Sequence, residues 1–235
     1  SLHLCGGAIN SPAPDPVDIP PRLLESPHLD FYQYQSGHFF DHGLRSYTYA
    51  ESFYRQPIKR PVLNGEPCYE GWLYAGHRHG PAEIRQAVWF SLLSGAKAGI
   101  TYGAQGLWQW HKTGKVFPPA VDDGRPKLYR TDAPFDWRTA LTFEGAWECS
   151  FAKWIFETYK LFDIEPQRHV LNPTERIRMS ATGDFSKVVI YSPASTDIRL
   201  DVDVSQHDWT MIVLDGKSMA QPVVVPSKEG SAIKM

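Results

Sequence analysis

The strongest constraint on this chain is an order of segments. Short apolar runs end in Gly and polar residues, and each is followed by an amphipathic stretch. Residues 29–38, "LDFYQYQSGH", alternate in the manner of a strand and end in Gln35-Ser36-Gly37-His38. Residues 44–56, "LRSYTYAESFYRQ", place Tyr47, Ala50 and Tyr54 at helical spacing. "RPVLNGEP" predicts the next strand, ending in Asn64-Gly65-Glu66. "PAEIRQAVWFSLLSGAKAG" predicts a helix with Pro81 in its first turn, Gly99 at its end, and Ile84, Val88, Leu92 and Ala96 as its apolar stripe. "ITYG" at 100–103 predicts a further strand, running into Tyr102-Gly103-Ala104. A single helix is expected over "DWRTALTFEGAWECSFAKWIFETYKLF", burying Trp137, Leu141, Phe151 and Ile155. At the other end, "LHLCG" (residues 2–6) reads as a strand, followed by the Pro-rich loop "SPAPDPVDIPP".

Strands that alternate with helices pair in parallel, because the crossover carries the chain back to its starting edge. α/β proteins hold their sites at the carboxyl ends of such strands, and here the polar and Gly-rich residues collect there after every strand. Four parallel strands make half of an eight-stranded barrel, and a free half leaves open edges and an uncovered core face. The chain is therefore expected to be an excerpt or processed piece whose remaining strands lie upstream. Self-pairing or a second chain is the alternative. Ser1 in place of Met agrees with an excerpt.

After about residue 165 the helical period is lost. Arg176–Met179, Val188–Tyr191, Ile198–Val204 and Met211–Leu214 are short alternating runs between Gly, Ser, Pro and Asp. The expected organisation is an α/β unit over residues 1–165 and a small antiparallel β-sandwich, complete or truncated, over 166–235.

Composition narrows the function classes. A net charge of −2 offers no electrostatic case for nucleic acid or an acidic membrane surface. No apolar run is long enough to span a bilayer. The three cysteines, Cys5, Cys68 and Cys149, are too widely spaced for a metal pair or a disulfide framework and are expected to be reduced or buried. No cofactor or metal is expected, and no compartment is assigned. Eight Trp, eleven Tyr and twelve Phe, many beside Gly, His and polar residues, suit sugar-binding clefts and ordinary cores alike.

Taken in order, "QSGH", "NGEP" with the following "YE", and "TYGA" with "LWQW" resemble the C-terminal half of the apiosidase-like glycoside hydrolases. The resemblance extends over roughly residues 1–165 and more loosely into the tail. It implies a (β/α)8 barrel of bacterial polysaccharide breakdown, commonly followed by a small β domain. It also implies a carbohydrate substrate and hydrolysis by two carboxylates, the acid/base after the fourth strand and the nucleophile after the seventh. With "LHLCGG" as the fifth strand, "RPVLNGE" is the seventh and Glu66 stands at the nucleophile's place. The fourth-strand segment has no counterpart in the chain, so the partner acid is expected upstream and the piece alone is expected to be inactive.

Each candidate has a plainer alternative. Glu66 can be a solvated acid at a strand end, and Glu70 is its rival as nucleophile or a ligand for a substrate hydroxyl. Asp30 precedes its strand and is expected to be structural. Gln35 and His38 are expected to line the pocket and hold sugar hydroxyls or Glu66, with His38 as a loop cap the alternative. Tyr69, Trp72, Tyr102, Trp108 and Trp110 follow the strands as candidate substrate contacts, and at least one of the tryptophans is expected to be ordinary packing. Trp89, Trp137, Trp147 and Trp154 are assigned to the core. His77 and His79 in "GHRHG" are half of a metal site with no third ligand, so an entrance loop is preferred. A non-catalytic carbohydrate-binding or scaffold protein on a degenerate barrel is the second function class, and a metal-dependent hydrolase is a third.

Overall fold

In the computed structural model, residues 20–38, 43–74, 76–115, 129–130, 134–214, 223–224, 227–229 and 232–234 are described. The strand expected at 2–6, Cys5 and most of the Pro-rich loop lie outside them. The elements run α1 (Pro21–Leu24), β1 (Tyr32–Tyr34), α2 (Leu44–Tyr54), β2 (Val62–Asn64), β3 (Leu73–Tyr74), β4 (His77–Arg78), α3 (Pro81–Leu92) and β5 (Gly99–Ile100). Then come β6 (Tyr129–Arg130), α4 (Trp137–Ala140), α5 (Gly145–Thr158), β7 (Glu165–Gln167), β8 (Arg178–Ala181) and β9 (Val188–Tyr191). The chain continues through β10 (Ile198–Arg199), β11 (Met211–Ile212), β12 (Val223–Val224), β13 (Ser227–Glu229) and β14 (Ala232–Lys234). The fold is mixed α/β.

β1, β2 and β5 form a parallel sheet in chain order, with Tyr34 opposite Asn64 and Asn64 opposite Ile100. Helices α2 and α3 make the crossovers. Tyr32 and Tyr34 alternate inward from β1 onto Tyr49, Ala50 and Phe53 of α2. The phenol of Tyr34 still donates to the Ser46 carbonyl at 2.9 Å, so burial strands no polar group. Helix α3 opens with Pro81 at its first position, and Glu83 accepts from the Gly80 N–H at 2.8 Å. Its Ile84 and Val88 join Phe151, Ala152 and Ile155 of α5 in one core cluster. α3 stops at Leu92, earlier than expected, and Gly99 opens β5 instead of closing the helix.

The single helix expected over 136–162 is two. Asp136 caps α4 by accepting from the Arg138 N–H, and the chain turns before α5 begins at Gly145. The turn brings Gly145 against Glu70, where an added Cβ would lie 2.4 Å from the carboxylate oxygen. Phe151 and Ile155 are buried as expected, but Leu141 is exposed. Of the tryptophans assigned to the core, Trp89 is buried whereas Trp147 and Trp154 stand on the outer face of α5, 61% and 42% exposed.

Beyond α5 the pairing is antiparallel, in sheets β7-β8-β9, β10-β14-β13 and β11-β12. β8 is buried on both faces. Met179 enters an apolar cluster with Ile198, Leu200 and Ile233, while Ser180 donates to the Leu93 carbonyl at 3.0 Å. Arg178 reaches Ser94 at 3.1 Å, pairs with Glu51 of α2 and stacks over the Tyr47 ring at 4.6 Å. Glu51 also pairs with Arg55 at 3.1 Å and Arg168 at 2.7 Å, so losing Arg178 removes its own buried contacts without leaving the carboxylate unpaired. Arg178→Ala is therefore expected to lower unfolding stability by roughly 1–3 kcal/mol, read by urea denaturation. A loss below about 1 kcal/mol would place the pair among weak surface contacts.

Candidate active site

The carboxyl ends of the three parallel strands come together because the strands are in register. Asn64, fully buried, ties them: its amide donates to Ser36 and Ser91 hydroxyls at 3.0 Å each. That network links the end of β1, the end of β2 and helix α3 immediately before Glu66. A buried amide with both donors spent is a fixed anchor.

Glu66 lies on this end, its side chain 19% exposed. Its Oε1 accepts from Gln35 Nε2 at 2.7 Å and meets His38 Nε2 at 3.0 Å. The Tyr69 hydroxyl is a third donor, and burial, followed by the Glu66 charge, pushes its pKa up to about 12. His38 Nδ1 accepts the Tyr69 backbone N–H at 3.2 Å, so the ring proton sits on Nε2 and points at the carboxylate. Donors converging on a carboxylate favour its ionised form.

A wall of rings stands beside it. His38 packs on Tyr69 and Trp72 with ring centroids 4.4 and 4.6 Å apart. Trp108 lies 6.4 Å from both Tyr69 and Trp72 and is 48% exposed, whereas Trp72 is buried. Gly103 makes this packing possible, since an added Cβ would sit 2.3 Å from the Tyr69 ring. Trp110 is exposed and belongs to a separate group, edge-on to the half-buried Trp137 at 5.1 Å, with Arg138 over the Trp137 ring.

Glu70 and Tyr102 form a different cluster. Glu70 is 5% exposed, and its Oε2 accepts from the Tyr102 hydroxyl at 2.6 Å and the Gly145 N–H at 2.8 Å. The carboxylate thus satisfies an orphan donor at the start of α5, where the helix dipole favours negative charge. Asp30 is exposed ahead of β1, away from the carboxyl ends.

His77 and His79 lie in and just after the β3–β4 hairpin. His77 meets Glu83 at 3.3 Å, and His79 donates from Nε2 to the His38 carbonyl at 2.8 Å. Among the described residues no group of three His, Cys, Asp or Glu is placed to hold a metal ion. Arg78 closes the hairpin's base on the Gly71 carbonyl at 2.6 Å and on Gln105 at 3.0 Å. Asn64, Gly103 and the Arg78–Gln105 pair are supports of the site to which sequence reasoning gave no role, and His79 is a support that it read as half of a metal site or an entrance loop. Only the polar cluster at each strand end hinted at them.

Solved structures share this fold. One, described as a glycoside hydrolase, matches with a TM-score of 0.63 and 19% identity over 89% of this chain and 53% of its own. A glycoside hydrolase family 5 protein from Bacteroides vulgatus ATCC 8482 matches with a TM-score of 0.67 and 18% identity, over 89% of this chain and 47% of its own. The chain therefore spans about half the length of these structures. A comparison with curated proteins finds no match. The fold is one found among glycoside hydrolases. The family model described as "Apiosidase-like, catalytic domain" matches residues 14–163, well over half of the sequence, and the chain belongs to that family.

The environment of Glu70 gives a signed pH prediction. Burial, the largest influence, outweighs the Tyr102 and Gly145 hydrogen bonds and raises its pKa above the ordinary carboxylate value. A carboxyl raised in the folded state gives stability that is present below its unfolded pKa and lost as pH rises through the folded one. Glu70→Gln keeps an acceptor oxygen and cannot ionise. Urea unfolding at pH 4 and pH 8 is expected to show the variant gaining on the wild type as pH rises; a difference that is flat or falls with pH contradicts the assignment.

Proposed function

We propose that this chain is the C-terminal half of a (β/α)8-barrel glycoside hydrolase over residues 1–165, joined to a small β-sandwich over 166–235. It acts on the sugar side chains of plant or microbial polysaccharides by double displacement. Glu66 is the nucleophile, the acid/base comes from the upstream half of the barrel in the parent chain, and the piece alone is inactive. The observation that carries this reading is the Glu66 carboxylate at the end of β2, accepting from Gln35, His38 and Tyr69.

A nucleophilic carboxylate has to be ionised, reachable and fixed. The donors supply the first and last of these, and the partial exposure supplies the second. Attack on the anomeric carbon forms a glycosyl ester on Glu66 while the partner acid protonates the departing oxygen. Water then cleaves the ester with the same partner as base. A pair for this chemistry stands about 5–5.5 Å apart. Glu70 does not suit the partner's role, since its Oε2 is committed to Tyr102 and the α5 terminus. The exposed Trp108 ring beside Tyr69, with Trp72 behind, offers a flat face for the C–H groups of a sugar. Gln35 and His38, besides holding Glu66, are placed to meet sugar hydroxyls.

The same Trp108 face supports the second reading, a carbohydrate-binding protein without chemistry. Glu66→Gln in the full-length parent separates the two. The glycosidase reading expects turnover of an aryl glycoside to fall by about 10³-fold or more, equivalent to about 4 kcal/mol of transition-state stabilisation, with sugar binding retained. A full-length parent that binds sugar, does not hydrolyse it, and is unaffected by the substitution supports the binding protein instead. Turnover by the isolated chain would contradict its proposed inactivity.

A further inference from the structure

The orientation of the His38 ring decides which of its nitrogens meets Glu66, so what holds the ring matters to the site. The ring packs against both Tyr69 and Trp72, its centroid 4.4 and 4.6 Å from theirs. The backbone of residues 37 and 38 is held at two points. The Gly37 N–H donates to the Glu66 carbonyl at 3.0 Å, and the His38 carbonyl accepts from His79 Nε2 at 2.8 Å. A carbonyl can only accept, so the His79 proton on this side is fixed to Nε2.

His79 is 3% exposed and hangs from the hairpin that also carries Trp72. Its N–H donates to the Trp72 carbonyl at 3.0 Å, and its carbonyl accepts from the Gly71 N–H at 2.7 Å. Trp72 and His79, joined through their backbones, thus grip residue 38 twice, through the Trp72 ring on the imidazole and the His79 ring on the peptide. Burial is the largest influence on His79 and lowers its pKa; the hydrogen bond to the His38 carbonyl and the Glu83 carboxylate favour its protonation, and the His38 and His77 rings oppose it. A neutral imidazole with its proton on Nε2 fits a permanent donor to residue 38.

We propose that His79 is a positioning residue for this site: by donating to the His38 carbonyl it fixes where the His38 imidazole stands, and so directs His38 Nε2–H onto Glu66. The proposal rests on Glu66 as the reacting carboxylate for its catalytic meaning, but the geometry it asserts is independent of turnover. His79 itself touches no reacting atom and acts through His38.

Long-range proton–nitrogen NMR of the histidine rings in this chain tests it. In the wild type both His38 and His79 are expected as the single Nε2–H tautomer. His79→Phe, which fills the space and cannot donate, is expected to turn the His38 signals into those of a tautomer mixture. His79→Gln, whose amide can donate, is expected to restore the single form. His79 found as the Nδ1–H tautomer in the wild type would overturn the proposal without any variant, as would a folded His79→Phe protein with His38 unchanged. In the full-length parent, His79→Phe is expected to lower kcat about 10–100-fold with KM nearly constant, and His79→Gln to recover most of it. These spectra do not depend on Glu66 being catalytic, so a failed glycosidase reading and a failed positioning role give different results.

Discussion

The hydrogen bond between His38 Nε2–H and Glu66 Oε1 ties the chemistry of this site to its fold. It exists only because β1 and β2 are parallel and in register, which brings the residue four beyond Tyr34 beside the residue two beyond Asn64. It has its polarity only because the Tyr69 N–H occupies the other ring nitrogen. Shifting β1 by one residue would turn Tyr32 and Tyr34 away from α2 and carry His38 out of reach. The core contacts of β1 and the polar contacts of its end are therefore satisfied by the same register.

Two glutamates four residues apart meet opposite fates. Glu66 faces the open end among hydrogen-bond donors, and Glu70 is turned inward to the start of α5. Tyr69 separates them in kind: its hydroxyl serves Glu66, while its backbone N–H serves His38. The bare backbone of Gly103 lets that ring lie close. Glu70 caps the start of a helix from a buried position, and Glu66 stands half-buried at a strand end among donors.

The strand order could be read from the sequence because each strand closes in a cluster of Gly and polar or aromatic residues that breaks its apolar run: Gln35 to His38, Asn64 to Glu66, Tyr102 to Ala104. Side-chain alternation also placed Tyr32 and Tyr34 together on one face. The Glu70–Gly145 contact was not legible, since it joins residues 75 positions apart through a backbone N–H that carries no residue-type signal. For the same reason the break between α4 and α5 was hidden in a stretch with helical periodicity throughout. Arg178 and Ser180 look like the solvent side of an alternating strand, but both are buried because β8 lies between its own sheet and the helices. His79 looked like half of a metal site because the sequence cannot show that its proton is given to a backbone carbonyl.

The role proposed for Glu66 is to form the covalent bond to sugar. Its most direct test is to trap the glycosyl ester in the full-length parent with an activated 2-deoxy-2-fluoro glycoside and locate the label by peptide mass spectrometry. One sugar per chain is expected, carried on Glu66 and lost in Glu66→Gln. A label on Glu70 or on another carboxylate, or turnover that inverts the anomeric centre and leaves no label, would contradict it.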